Sequence, residues 1–261
     1  MTEIINSPSN PLIKLARGLH QKKVRDEFGL FLVEGILHVS EAAEAGWDFN
    51  ALFYCPGRLK SEYGRQFVET QINKGVRCIQ VSENAFESFA EKENPQGLAA
   101  LIRQKPRFIE DISSLKFGVA IVTPQDPGNV GTILRNIDAV GADALLLLDG
   151  GVEPYNPSSV RASMGAIFWK PFYMASFVEF SEWAKKGGIR IIGTSAHAAL
   201  DYKKIKLDDR PTILLLGSEQ KGLLPEQLGV CDDLVSIKMR GRASSLNLAV
   251  AAGILLYALN S

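Results

Sequence analysis

The sequence is poor in the residues that usually announce a site. Its three cysteines, Cys55, Cys78 and Cys231, are scattered with no CxxC pair, so neither a thiolate metal site nor a disulfide framework is expected. The three histidines, His20, His38 and His197, are equally dispersed, which argues against a metal. No apolar run reaches membrane-spanning length and no secretory signal opens the chain. A soluble, cytoplasmic protein without a membrane partner is the expectation. Basic and acidic residues number 29 each, so no global field draws the chain to a polyanion. What remains is an ordinary globular composition, 46% hydrophobic and 22% charged over 261 residues, enough for one large or two ordinary domains.

Charge is nevertheless uneven. The first 25 residues hold Lys14, Arg17, Lys22, Lys23 and Arg25 against one acid, Glu3. Leu12 to Leu19 has the look of a short helix, and the cluster is either a solvated basic face or an RNA-facing arm. From Phe28 onward apolar runs alternate with helical patterns. GLFLVEG, ALFYC, VRCIQV and GLAALIR read as four strands, with helices over Ile36 to Ala45, Lys60 to Lys74 and Asn84 to Glu91. This half is a small α/β domain with no catalytic constellation, which suits a binding module. Gln104 to Asp111 mixes charge with Pro106 and no period, so a boundary is placed there, giving domains 1–105 and 106–261.

The second half alternates too, but its strands end in polar or glycine-rich turns. FGVAIVT runs into PQDPGNVG, and a helix continues to Val140 with Val130, Ile133, Leu134 and Ile137 as its core stripe. The turn is neither GxGxxG nor a P-loop, so it offers no standard phosphate cradle. ALLLLD, WKPFYM, GIRIIGTSA and PTILLLG supply further strands, and NPSSVRASMGAIF a helix carrying Arg161 and Ser163. The chain closes with a short strand at Leu234, Val235 and Ile237 and a loop from Arg240 to Ser245. A helix apolar all round follows, and is therefore expected to be buried. Ser244, Ser245 and Asn247 are cap candidates for it. Ala249, Ala252 and Gly253 form a small-residue face that invites a close neighbour. Ligands in such sheets sit beyond the carboxyl ends of the strands. There PQDPGNVG, GSEQKG and RGRASSLN collect Asn129, Arg135, Glu219, Ser245 and Asn247.

In order and spacing, PQDPGNVGTILRN, LLLGSEQKGL and SIKMRGRASSLNLAVAAGILLY resemble the three signature motifs of the SpoU (TrmH-like) RNA 2′-O-ribose methyltransferases of the SPOUT superfamily. SPSNPLIK and FLVEGILHVSEA resemble, more weakly, the family's substrate-binding domain, an L30e/L7Ae-like fold. The resemblance implies an α/β fold whose C-terminal SPOUT domain carries a deep trefoil knot. It also implies a homodimer and S-adenosylmethionine (AdoMet) as cofactor, held by Gly217, Ile237 and Leu246, with Met239 and more weakly Thr194 beside them. The implied reaction is methylation of a ribose 2′-oxygen in structured RNA, ribosomal RNA before tRNA. Arg135 would stabilise the developing alkoxide rather than accept a proton, because a guanidinium keeps its proton above about pH 12. Glu219 would orient Arg135 or a ribose hydroxyl, while Asn129, Ser245 and Asn247 position the nucleotide and the loops. Arg161 joins the N-terminal cluster as an RNA contact. The bland alternatives are helix caps for Asn129 and Ser245 and a surface salt bridge for Arg135. A catalytically idle RNA-binding or ribosome-assembly protein on the same scaffold is the competing function. Gln220, Lys221, Lys238 and Ala249 depart from the family's common residues without touching the polar set.

Overall fold

Asn10 opens the first helix in the computed structural model, which describes residues 3–91 and 94–259. Its side chain accepts the Leu12 amide at 2.8 Å and Pro11 takes the first helical position, so α1 spans Pro11–Gly18. By its internal contacts the chain forms two units, Met1–Lys105 with Tyr155–Phe168, and Pro106–Pro154 with Trp169–Ser261.

In the first unit a five-stranded sheet has the order β1-β4-β3-β5-β2, with β1 Glu3–Ile5, β2 Leu30–Glu34, β3 Phe49–Tyr54, β4 Cys78–Val81 and β5 Leu98–Arg103. It is mixed, since β5 runs antiparallel to both β2 and β3 while β4 pairs parallel with β1 and β3. Helices α2 Lys22–Phe28, α3 Ile36–Glu44, α4 Glu62–Asn73 and α5 Glu83–Glu87 connect these strands. Two of these elements are not legible in the sequence. β1 is too short to carry a period, and α2 reads as a charged stretch until Gly29 ends it in a left-handed conformation, φ 61°. Tyr155 and Phe168 join Phe31 and Trp47 in an aromatic cluster, and the Trp47 indole donates to the Phe168 carbonyl at 3.0 Å. The segment that reads as part of the second half therefore packs in the first.

The second unit is built on a sheet of order β10-β12-β9-β11-β6-β7-β8. Its strands are β6 Phe117–Val122, β7 Ala144–Leu148, β8 Phe172–Ala175, β9 Arg190–Thr194, β10 Leu200–Asp201, β11 Thr212–Leu216 and β12 Asp233–Ser236. Every ladder in it is parallel. All six residues of β6 are buried, as a sheet covered on both faces requires. Helix α6, Pro127–Val140, begins earlier than its apolar stripe suggests, because Asp126 caps the Gly128 amide and Pro127 fits the first turn. The expected helix near Arg161 is two short ones, α7 Pro157–Ala162 and α8 Ala166–Trp169, broken where Met164 and Gly165 take φ of 51° and 97°. Helix α9, Phe177–Lys186, starts in a Ser176–Glu179 capping box. The short α10, Pro225–Leu228, precedes β12, and α11, Leu248–Leu259, closes the chain.

α11 is not buried all round. Ala249 and Ala252 face inward, but Val250 and Tyr257 are 51% and 60% exposed. The neighbour of its small face is α6 of the same chain. Asn136 Nδ2 donates to the Ala249 carbonyl at 3.1 Å, and a Cβ on Gly253 would meet that nitrogen at 3.1 Å.

Candidate active site at the carboxyl edge

Because the ladders are parallel, β6, β9, β11 and β12 all release their chains at one edge of the sheet. β11 and β6 end in register, Leu216 opposite Ile121, and β12 places Val235 opposite Thr194. The exits are sharp. Thr123 takes φ 46° at the end of β6 and Asp149 φ 57° after β7, conformations that cost a non-glycine residue about 1–3 kcal/mol and gather at functional turns. Gly151 closes against the first of them: a Cβ there would lie 2.4 Å from the Pro124 carbonyl, which accepts the Val152 amide at 2.9 Å.

One chain of hydrogen bonds ties the three polar loops together. The Glu219 carboxylate, on the turn after β11, accepts the Gln125 and Asp126 amides at 3.1 and 3.3 Å and Asn129 Nδ2 at 3.1 Å. Asn129, 6% exposed on the first turn of α6, accepts Asn247 Nδ2 at 2.9 Å on its own Oδ1. Asn247 Oδ1 then takes the Ala249 and Val250 amides at 2.9 and 3.2 Å, capping α11. The carboxylate can only accept, so Asn129 must turn its amide nitrogen to Glu219 and its oxygen to Asn247. This leaves the Asn247 oxygen for the helix. Each end of the relay meets a helix N-terminus, where acceptors are favoured.

Between Lys238 and Leu246 the loop offers backbone N–H and C=O groups that have no hydrogen bond among the described residues. Ile237 and Met239 are half-buried beside them, and Leu246 is 36% exposed. This is the donor set an adenosine needs, backbone polar groups with apolar walls, so the residues fit the cofactor. Gly217 plays a different part from the one the sequence suggests. A Cβ there would come within 2.0 Å of the Gly222 carbonyl carbon, so the space the glycine leaves is taken by its own 217–222 turn, and a ligand could meet only its backbone. That turn is held by paired Ser218–Gly222 backbone bonds of 3.2 and 2.9 Å. Thr194 spends its hydroxyl on the Leu215 carbonyl at 3.5 Å. Burial, with Asp232 adding, pushes the Cys231 thiol up to about 11, which removes it as a nucleophile. Among the described residues no group of three His, Cys, Asp or Glu could hold a metal, and no helix is long and apolar enough to cross a membrane.

Residues 116–257 match the SpoU rRNA Methylase family. The chain belongs to that family. Residues 10–100 match the MRM3-like substrate binding domain. A Bacillus subtilis relative, the 23S rRNA (guanosine(2553)-2′-O)-methyltransferase RlmP, is 31% identical over 97% of both chains. The AdoMet-bound rRNA methyltransferase from Sinorhizobium meliloti superposes with a TM-score of 0.89 at 33% identity, over 98% of this chain and 97% of that one. The SpoU methyltransferase AviRb from Streptomyces viridochromogenes, also with AdoMet, gives 0.84 at 31% identity over 95% and 97%.

Within this SpoU site the structure separates residues that the motifs group. Arg135 lies two turns into α6, about 9 Å along the axis from Asn129. It is exposed and makes no hydrogen bond or ion pair among the described residues, so Glu219 does not orient it. Ser245 is likewise exposed and unpaired, and the cap of α11 is Asn247. Asn136 closes the first motif, but its support of α11 shows only in its bond to the Ala249 carbonyl. Gly151 has no motif to point to it, and its contact with Pro124 alone gives it away.

The N-terminal basic cluster is not one surface. Arg25 is 1% exposed and donates to the Leu19 carbonyl at 2.7 Å, so it is a core residue and not an RNA contact. Arg17 is held by the Ser88 and Pro8 carbonyls, and Lys22 pairs with Asp26 at 2.7 Å. Lys14 and Lys23 remain exposed without such partners. Arg161 is ion-paired to Glu91 and donates to the Ser158 hydroxyl.

Proposed function

We propose that this SpoU protein transfers the methyl group of AdoMet to a ribose 2′-hydroxyl in structured RNA, ribosomal RNA before tRNA. The observation that carries the reading is the Glu219–Asn129–Asn247 relay, which holds three motif loops at one sheet edge around an unpaired backbone segment. Relatives named as 23S rRNA 2′-O-methyltransferases favour ribosomal RNA.

The bound cofactor supplies an electrophilic methyl on a positively charged sulfur. This chain's residues do the rest. Backbone groups of 238–246, walled by Ile237, Met239 and Leu246, would hold the adenosine, with the Gly217 backbone and Thr194 at the edge beside it. The relay keeps those loops in register, so a cofactor and a ribose held by them would react as if in one molecule. Arg135 has no partner among the described residues and so is available to stabilise the alkoxide as it forms, while water or an RNA phosphate takes the hydroxyl proton. Ser245, unpaired, is free to hydrogen-bond the nucleotide.

The 1–105 region is the RNA substrate-binding domain, L30e/L7Ae-like, with Lys14 and Lys23 among its free cations; Lys22, Arg17 and, beyond it in sequence, Arg161 are contacts only where RNA displaces their present partners. The 106–261 region is the knotted methyltransferase domain; β11 lies between β6 and β9, and α11 returns to pack on α6, an arrangement that suits a knot. The protein works as a homodimer in the cytoplasm, its exposed Val250 and Tyr257 lying about two turns apart on α11 where a second copy can cover them.

The test is single-turnover transfer of labelled methyl to unmodified ribosomal RNA, with the mark scored by resistance to alkaline cleavage. Arg135→Ala should keep cofactor and RNA binding and lose on the order of 10²-fold in rate. Arg135→Lys should recover little, because lysine lacks the planar fork. A base-methylated product would overturn the ribose reading, and cofactor binding without transfer would leave only an idle RNA-binding protein.

A further inference from the structure

The edge that holds the site also carries positive charge that the chain does not use. Lys221 stands on the 217–222 turn, and Lys238, Arg240 and Arg242 on the loop between β12 and α11. All four are solvent-accessible, and among the described residues none of their side chains makes a hydrogen bond or ion pair. Some cations of the same unit are matched with acids, Arg190 with Asp233, Arg210 with Asp208 and Asp232, Lys170 with Asp138. Lys116, Lys185 and Lys186 also lack an acid partner among the described residues, so what sets these four apart is their gathering on two loops of the site. The 237–247 loop contains three cations and no acid. Glu219, the acid of the neighbouring turn, is already met by three N–H donors. A chain of zero net charge thus concentrates uncompensated charge around its reaction site.

The cofactor does not explain this. AdoMet carries a sulfonium and an ammonium against one carboxylate, so its net charge is positive and surrounding cations oppose it. A polyanion is the complementary ligand. We infer that Lys221, Lys238, Arg240 and Arg242 bind the backbone phosphates flanking the target nucleotide, so that the catalytic unit itself grips the RNA. Alternate positions 238, 240 and 242 are at most about 7 Å apart along the chain, a spacing that follows a backbone instead of enclosing a single anion. The exposed Ser244 and Ser245 hydroxyls extend the same loop with further donors. Contacts of this kind fix register and carry no base information. The inference rests on the RNA-methyltransferase reading above and locates where the substrate's charge is met.

The experiment compares the full-length protein with K221Q/K238Q/R240Q/R242Q and with the charge-conserving K221R/K238R/R240K/R242K. Binding of unmodified 23S rRNA, transcribed in vitro, is measured over a range of salt, and AdoMet affinity by calorimetry. Neutralisation should lower the salt slope by about 0.7 for each phosphate no longer neutralised, roughly 2 to 3 in all, and weaken RNA binding on the order of 10²-fold at about 0.15 M salt. AdoMet, itself a net cation, should not lose affinity through the loss of positive charge alone, so its binding reports whether the loop keeps its backbone. The charge-conserving variant should retain the wild-type slope. An unchanged slope would show the four cations are merely solvated. A parallel loss of AdoMet affinity would assign them to the loop's structure; either result overturns the inference while wild-type methylation still stands. If the wild-type protein neither binds nor methylates the RNA, the underlying reading falls as well.

Discussion

Replacing Asn247 by Asp separates the two tasks its side chain performs. An aspartate still accepts the Ala249 and Val250 amides, now 2.9 and 3.2 Å away, and its charge at the α11 N-terminus adds about 0.3–1 kcal/mol. It cannot donate to Asn129 Oδ1, and it sets one acceptor against another at 2.9 Å. Asn129 is 6% exposed, so its stranded oxygen costs about 1–3 kcal/mol. The relay term is the larger, and the net loss should be about 1–2 kcal/mol, or about 2–8 °C in Tm for a unit of this size. Asn247→Ala forfeits the cap too, a further loss of about 1 kcal/mol. Thermal unfolding measures both, and a cycle with Asn129→Ala isolates the pair. Because the two residues share one bond, the double mutant should be less destabilised than the sum of the singles by about 0.5–1.5 kcal/mol. Additivity within about 0.5 kcal/mol would refute the relay, whatever the stability of each variant.

Val250→Asp with Tyr257→Glu charges the exposed stripe of α11, and the protein should sediment as a monomer; a wild-type monomer at micromolar concentration would dispose of the dimer. Ala252→Leu acts inside one chain, overpacking the α6 interface at a cost of about 1–3 kcal/mol whatever the oligomeric state. In the N-terminal unit Arg25→Ala should lower stability by about 1.5–3 kcal/mol through removal of its bond to Leu19, whereas Lys14→Gln with Lys23→Gln should leave stability alone and reduce only the salt slope of RNA binding. Partial burial holds the Cys231 and Cys78 thiols up at about 11, so iodoacetamide at about pH 8 should label both far more slowly than in the unfolded protein; native labelling at the unfolded rate would contradict the raised pKa.

Local pattern alone determined the alternation of strands and helices, the parallel sheet of the second half and the three loops that matter. Each of these depends on short-range periodicity or on a turn residue whose backbone preference is intrinsic. Asn129, Glu219 and Asn247 could be named from spacing because each sits at a strand exit or a helix start. Their joining could not, since the bonds span about ninety and more than one hundred residues. Tertiary structure alone decided that the 217–222 turn fills the space beside Gly217, that Arg25 is core and Arg135 free, and that Tyr155–Phe168 packs with the N-terminal residues. It also turned α11, apolar in composition, into a helix with one covered face and one open. Hydropathy records how much a residue gains by leaving water. Which neighbour receives it is settled by long-range packing, and no window along the chain contains that neighbour.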